Sequence, residues 1–180
     1  MSINYKALNQ INADLEGKKA KLLIVTKTRS QDDIFELIES GYRDFAENRV
    51  QEAYMKYSKI TAHTKINLSL IGPLQSNKVK QALNLFDTIQ SIDRSKIVDE
   101  IIKYKDAKTK TKNFFIQINI GEEPQKSGVL PENFNEFYYY CKSKGLEISG
   151  IMCIPPLNKD PRYFFEKMLK IRKNIDDHLT

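Results

Sequence analysis

The chain has 180 residues, a net charge of +6, 41% hydrophobic residues and 29% charged residues. This length and balance predict one globular domain. Because the sequence contains no run of about 18 apolar residues, we expect no membrane-spanning segment. The polar N-terminal stretch lacks the apolar core of a secretory signal, and a cytoplasmic protein is therefore expected. The lysines are spread along the whole chain without a recognisable nucleic-acid motif, so nucleic-acid binding is not predicted either.

The sequence offers few side chains for cross-links or metal ions. It contains two cysteines, Cys141 and Cys153, and two histidines, His63 and His178. Two cysteines do not make a disulfide framework, so reduced thiols are expected. No spacing among these four residues fits a compact zinc site, and we therefore predict no metal.

Apolar spacing alternates regularly between helical and extended patterns. Residues 3–16 predict a helix, and six strand-then-helix units follow it. The predicted strands cover 21–27, 43–48, 66–72, 86–92, 113–120 and 146–154. The helices after them cover 30–41, 50–60, 74–86, 94–105, 130–145 and 160–176. Ser30 suits the N-cap of the second helix, and Ile97, Ile101 and Ile102 are expected on one side of the fifth.

Repeated strand–helix units predict parallel strands with right-handed crossovers. Two α/β architectures then compete: an open doubly wound sheet and a TIM (β/α) barrel. No G-x-G-x-x-G pattern follows the first strand, which disfavours a dinucleotide-binding fold. The spacing of the units fits a barrel, which takes about 250 residues when it is complete. This chain contains six of the eight units of such a barrel.

The stretch LLIVTKTRS, residues 22–30, ends an apolar strand on a lysine. Alternation along an extended chain puts Leu23, Val25 and Lys27 on one face. If that face lines the barrel interior, Lys27 points into the mouth, where ligands of parallel α/β folds gather. An amine there can form a Schiff base with an aldehyde. The alternative is a lysine that simply extends into water.

Six segments in order, between residues 20 and 156, resemble the pyridoxal phosphate homeostasis protein family. They are LLIVTKTRS, FAENRVQEAYMKY, LSLIGPLQSNKVK, FDTIQSIDRSKI, FFIQINIGEEPQKSGV and GIMCIPP. The resemblance implies a single domain over 1–180, an incomplete TIM barrel like the N-terminal domain of alanine racemase. It implies pyridoxal 5′-phosphate (PLP) held as a Schiff base on Lys27, a role in PLP homeostasis, no established catalysis, and a monomer.

The resemblance also implies roles for four further positions. Asn48 matches an asparagine that lines the cofactor pocket, or it caps the following helix. Gly72 lies in a family signature loop, or it serves only the turn. Lys126 matches a loop lysine near the mouth, as a second amine or phosphate partner, or as a solvated side chain. Met152 matches the apolar position beneath the PLP ring, which core packing alone also explains.

The sequence departs from the family pattern in two ways. Leu68 and Ser69 stand where the family usually has Trp-His, and Ala46 replaces a glycine. The family's seventh and eighth strands, which supply much of the phosphate cup, are not found before Thr180. Open barrel edges favour self-association. Two alternatives therefore remain. The protein is a racemase-like PLP enzyme acting on amino acids, or it is a truncated remnant with impaired PLP binding.

Overall fold

The computed structural model describes residues 3–60 and 64–173. A first helix is followed by six parallel strands that alternate with helices. The elements are α1 (Tyr5–Leu15), β1 (Ile24–Val25), α2 (Gln31–Glu39), β2 (Asp44–Glu47), α3 (Val50–Tyr57), β3 (Asn67–Leu70), α4 (Val79–Leu85), β4 (Thr88–Ile92), α5 (Ser95–Tyr104), β5 (Asn113–Ile118), α6 (Phe134–Ser143), β6 (Gly150–Cys153) and α7 (Pro161–Lys173). Short 3₁₀ turns at Ser76–Lys78 and Pro131–Asn133 precede α4 and α6.

The strands lie in the sheet in chain order, from β1 to β6, and every neighbouring pair is parallel. A doubly wound sheet reverses its strand order at a switch point, whereas a barrel wall adds each strand beside the last. The sequential order therefore excludes the doubly wound alternative. It confirms the prediction of an incomplete barrel, with β1 and β6 at its two edges.

The helices cover one face of this curled sheet. Phe45 and Leu68 lie on that face and are fully buried, and the Phe45 ring lies 6.1 Å from the Tyr57 ring of α3, between centroids. The strand register places Val25 and Ala46 on the opposite face, here called the inner face. Val25 is 42% exposed, so the inner face is open at the β1 edge.

The predicted strands were longer than the observed ones, most of all at the two edges of the sheet. The first strand covers Ile24–Val25 rather than 21–27, because β1 pairs only with β2 and over two positions. The last strand covers Gly150–Cys153 rather than 146–154. Edge strands have one partner, and their length depends on that partner more than on their own apolar run. Residues 174–176 of the predicted last helix lie outside the described residues.

The cap of α2 was predicted correctly, but α4 begins at Val79 rather than at residue 74 and α6 at Phe134 rather than at residue 130, after the short 3₁₀ turns. Ser30 is the N-cap of α2, as predicted: its hydroxyl accepts from the Asp33 N–H at 3.1 Å, and the Asp33 carboxylate accepts from the Ser30 N–H at 3.2 Å. On α5, Ile97 and Ile101 are fully buried, but Ile102 is 37% exposed. The placement of Ile102 was therefore wrong, because one residue turns the side chain by about 100° around a helix.

Both cysteines are free thiols, and Cys141 is buried in the core. Burial raises the pKa of the Cys141 thiol to about 12, so this sulfur is not a nucleophile at neutral pH. Among the described residues no three potential ligands come together to hold a metal ion; His63 and His178 lie outside them. None of the described helices has the length and apolar composition that crossing a membrane requires.

Candidate functional site

The predicted site residues occupy the carboxyl-terminal side of the sheet, where parallel α/β folds bind their ligands. Lys27 follows β1 by two residues, and Asn48 directly follows β2. Gly72 follows β3, and Lys126 lies in the loop after β5. Met152 lies within β6, where it pairs with Gln117 of β5.

Three of these five residues line one cavity of about 200 Å³: Asn48, Gly72 and Lys126. The side chain of Gln117 also contributes to its wall. Gln117 is 6% exposed, and its Nε2 donates to the Ser127 carbonyl at 2.9 Å. The structure thus brings the ends of β2, β3 and β5 together around a small cavity with both polar and apolar walls.

Gly72 is fixed by its contact with Asn48. A Cβ atom placed on Gly72 would lie 2.2 Å from the Asn48 carbonyl oxygen and 2.7 Å from its Cα. Both atoms belong to the backbone, which cannot move aside as a flexible side chain can. Gly72 therefore serves close approach of two strand ends. The N-cap of α3 is Arg49, with no side-chain cap bond, so the helix-capping alternative for Asn48 was wrong.

The amine of Lys126 is engaged within the protein. It forms an ion pair with Glu123 and lies 3.3 Å from the Pro155 carbonyl oxygen and 3.5 Å from that of Ile154. These contacts tie the loop after β5 to the segment after β6. Lys126 thus lies at the cavity edge with its charge compensated by Glu123, and it is more than a solvated loop lysine.

Lys27 and Met152 lie outside the cavity lining described above. Lys27 is exposed, and within the described residues no hydrogen bond or ion pair engages its ammonium group. It lies in a turn closed by the Arg29 N–H, which donates to the Thr26 carbonyl oxygen at 3.0 Å, so the strand alternation that predicted its face ends before it. Met152 is half-buried. Because β1 and β6 are opposite edges of the sheet, the structure does not gather all five residues into one closed pocket.

A buried polar network lies beneath the backbone that carries Lys27. The Thr26 hydroxyl donates to Glu47 Oε1 at 2.7 Å and lies 2.6 Å from the Tyr57 hydroxyl. The Lys56 ammonium donates to the Thr26 carbonyl oxygen at 2.8 Å and to Glu47 Oε1 at 3.0 Å. Thr26 is 1% exposed and Glu47 is fully buried. The network therefore joins the end of β1 to β2 and α3.

Glu52 extends the network to the other side of Lys27. Its Oε1 accepts from the Lys56 ammonium at 2.6 Å and from the Thr28 backbone N–H at 2.7 Å. Glu47, Glu52 and Lys56 were not singled out in the sequence, and the network was missed. The Glu52–Lys56 spacing of four residues on one helix was the signal that identifies this ion pair; no local pattern connects either residue to Thr26 or Thr28.

The pKa values of the two carboxylates around Lys56 are shifted in opposite directions. Burial raises the pKa of Glu47, against the hydrogen bonds from Thr26 and Lys56 that lower it, and Glu47 Oε2 is buried with no hydrogen-bond partner among the described residues. The hydrogen bond from Lys56 lowers the pKa of Glu52. Burial also raises the pKa of the Tyr57 hydroxyl, which stays protonated and able to donate.

The three positions whose residues differ from the usual family pattern lie on both faces of the sheet. Leu68 is fully buried on the helix-covered face. Ala46 and Ser69 are register partners on the inner face, and Ser69 is 7% exposed. The position where the family usually has histidine thus lies on the inner face, where this chain presents a short hydroxyl instead of an imidazole.

Comparison with known proteins defines the class first. The family model for the alanine racemase N-terminal domain matches residues 4–179. The structure superposes on that of PipY from Synechococcus elongatus without PLP, with a TM-score of 0.84 and 25% identity, covering 94% of this chain and 80% of that one. Alanine racemase from E. faecalis, at 12% identity and a TM-score of 0.65, shares the fold. The chain is a barrel-type α/β protein of this class.

Curated relatives narrow the assignment. A pyridoxal phosphate homeostasis protein of Aquifex aeolicus is 35% identical over 160 residues, which cover 87% of this chain and 70% of the relative. Another, from Buchnera aphidicola subsp. Schizaphis graminum, is 35% identical over 158 residues, covering 87% of this chain and 66% of the relative. The chain belongs to the pyridoxal phosphate homeostasis protein family, as its sequence motifs predicted.

Proposed function

We propose that this protein binds PLP as a Schiff base on Lys27 and takes part in PLP homeostasis without catalysing a reaction of its own. The observation that carries the proposal is the Lys27 amine: exposed, unengaged within the described residues, and located just after the first strand of a parallel sheet. PipY of Synechococcus elongatus, whose structure with PLP bound matches this chain at a TM-score of 0.79, supports the choice of cofactor.

The described residues provide a partner for the aldehyde of PLP but fewer groups for its phosphate. An exposed lysine on a fixed backbone suits the aldehyde, since PLP supplies a carbonyl carbon that amines attack. The cavity of Asn48, Gly72 and Lys126 offers a polar group of the ligand the Asn48 amide and the Lys126 ammonium, although Glu123 already pairs with that ammonium. A phosphate prefers several N–H donors together. The cavity offers few such donors. We therefore assign the main part of the binding free energy to Lys27 and a smaller part to this cavity and to Met152.

A PLP titration followed by visible absorbance tests the proposal. The wild-type protein should develop the absorbance band of a lysine-bound PLP, and Lys27→Ala should abolish it. Lys126→Ala is the matched control, because it removes a lysine from the same side of the sheet whose amine is already engaged; this variant should keep the band at a reduced affinity. An unchanged band in Lys27→Ala would refute the assignment.

The absence of catalysis is tested separately. PLP-loaded protein incubated with L-alanine in deuterated water should leave the α-proton in place over hours, as measured by NMR. Racemisation requires an acid–base group on each face of the substrate carbon. Exchange of the α-proton that requires Lys27 would instead establish a racemase-like enzyme. The homeostasis proteins among the relatives favour the first result.

A further inference from the structure

Lys27 lies between two residues that α3 holds by their backbones. On one side, the Lys56 ammonium donates to the Thr26 carbonyl oxygen at 2.8 Å. On the other side, the Thr28 N–H donates to Glu52 Oε1 at 2.7 Å. The Lys56 ammonium also donates to Glu52 at 2.6 Å, so the two contacts belong to one connected group. The peptide units that flank Lys27 are therefore fixed together.

The backbone at Thr28 adopts a conformation that needs such support. Its φ is +62°, in the left-handed region where a β-branched residue is rarely found. A residue keeps this conformation only when surrounding contacts outweigh its local cost. The hydrogen bond from the Thr28 N–H to Glu52 is a contact of this kind. It turns the chain immediately after Lys27 and so limits the directions that the lysine side chain can take.

The group is anchored from below. Lys56 is 9% exposed, and its ammonium lies 3.0 Å from Oε1 of the fully buried Glu47. The Lys56 ammonium is held between two carboxylates and a carbonyl oxygen. Moving it away would leave the buried Glu47 carboxylate without a partner for its charge, which is energetically costly. Glu47, Glu52 and Lys56 together form what we call the α3 clamp. Charge-assisted hydrogen bonds of this type are short and directional, which suits them to positioning.

We propose that the α3 clamp positions the Lys27 amine for reaction with the aldehyde of its ligand. The clamp touches the backbone on both sides of Lys27 and not its amine, so Glu52 and Lys56 are positioning residues. The inference rests on the proposed role of Lys27. Holding a reacting group in one orientation replaces a search among many orientations and raises the rate of the reaction. In that reaction the Lys27 Nζ would form a C=N bond to the aldehyde carbon, and the two amine protons and the aldehyde oxygen would leave as water.

Glu52→Ala removes the acceptor for the Thr28 N–H and leaves the Glu47–Lys56 pair in place. Glu100→Ala is the matched control: the Glu52 side chain is 24% exposed and that of Glu100 is 28% exposed, and each carboxylate pairs with a lysine on its own helix. The first readout needs no PLP. Amide hydrogen exchange at Thr28 should accelerate in Glu52→Ala and remain at the wild-type rate in Glu100→Ala. Equal exchange at Thr28 in all three proteins would show that no clamp exists.

The second readout measures the amine itself. PLP is added, the mixture is reduced with borohydride at successive times, and peptides are mapped by mass spectrometry. Labelling of Lys27 should slow severalfold in Glu52→Ala, whereas labelling of surface lysines should not change. Glu52→Gln should restore the wild-type rate, because a glutamine amide oxygen still accepts from the Thr28 N–H.

The outcomes separate the two proposals. Rapid labelling of Lys27 in the wild type and an equal rate in Glu52→Ala would overturn the clamp and leave the proposed function intact. Failure of Lys27 to react preferentially in the wild type would overturn both. A loss of fold in Glu52→Ala would appear in far-ultraviolet circular dichroism, and Glu52→Met would then take its place. That variant keeps the length of the side chain but offers no oxygen to the Thr28 N–H, so it should also slow the labelling of Lys27.

Discussion

Glu47 and Glu52 both accept a hydrogen bond from the Lys56 ammonium, but Glu47 is fully buried. Their pKa values are therefore shifted in opposite directions. The folded-state pKa of Glu47 is raised above its ordinary value of 4.5, so between these two values the folded protein binds more protons than the unfolded chain. The contribution of Glu47 to stability is consequently lost as pH rises through that window. The pKa of Glu52 is lowered. Its contribution is present above its ordinary pKa and is lost as pH falls through the folded pKa.

This difference predicts opposite pH slopes for two conservative variants. The unfolding free energy of wild type minus that of Glu47→Gln should decrease as pH rises above 4.5. For Glu52→Gln, the same difference should increase as pH rises toward 4.5 from below. Urea unfolding at a series of pH values measures both slopes. Slopes of the same sign would contradict the assignment of burial to Glu47 and of ion pairing to Glu52.

The close approach of Gly72 to Asn48 predicts a stability cost for the smallest possible side chain. Gly72→Ala places a Cβ atom 2.2 Å from the Asn48 carbonyl oxygen, so one strand end must shift. Overpacking of this kind costs about 1–3 kcal/mol of unfolding free energy. Urea unfolding measures the loss, and the affinity for PLP should fall with it. A variant as stable as wild type would show that the two strand ends have room to separate.

At the residue scale, the sequence predicted which residues lie at strand ends better than it predicted which side chains contact one another. The alternation of strand and helix located Lys27, Asn48 and Gly72 at strand ends, because strand ends follow from apolar runs. It did not reveal that Lys56 reaches the Thr26 carbonyl, thirty residues earlier in the chain. Such a contact depends on how α3 packs on the sheet, and a tertiary distance of this kind leaves no periodic signal in one sequence.

At the element scale, α5 offers a direct test of which helix face is buried. Ile101 is fully buried and Ile102 is 37% exposed, although the two residues are adjacent and chemically identical. Ile101→Ala should cost about 2–5 kcal/mol of unfolding free energy, whereas Ile102→Ala should cost less than about 1 kcal/mol. Thermal or urea unfolding distinguishes them. Equal costs would mean that α5 is rotated from the orientation described here.

The N-cap of α2 was predictable from the sequence, and the extents of the edge strands were not. Ser30 with Asp33 forms a local capping box, whose geometry needs no distant residue. The extent of β1 depends on β2, with which it pairs at only two positions. The apolar run of residues 21–27 is therefore longer than the strand it contains. Residues beyond Val25 are held instead by hydrogen bonds to β2 and α3.

At the scale of the whole molecule, the sequential sheet leaves both of its outer strands with one neighbour. Near these edges, Val25 is 42% exposed and Ile154 is 52% exposed. Repeated strand–helix units predicted the parallel order, since crossovers of one hand place each strand beside the previous one. The inner face of the sheet is open because the described sheet has six strands and two free edges. No local sequence pattern indicates this opening.

Open edges predict a gradient of local stability across the sheet. Backbone amides of β3, β4 and β5 should exchange with solvent most slowly, because these strands are paired on both sides. Amides of β1 and β6 should exchange faster. Native-state hydrogen exchange followed by NMR measures the gradient. Protection of β1 equal to that of β4 would show that another chain pairs with this edge, as self-association through open edges would require.

The most direct test of the central claim is a crystal structure of the protein grown with PLP. Continuous electron density should join the Lys27 Nζ to the aldehyde carbon of PLP, with Glu52 still accepting from the Thr28 N–H. The phosphate should lie on the carboxyl-terminal side of the sheet. Density that joins PLP to a different lysine, or a Lys27 side chain directed away from the other strand ends, would contradict the proposed function.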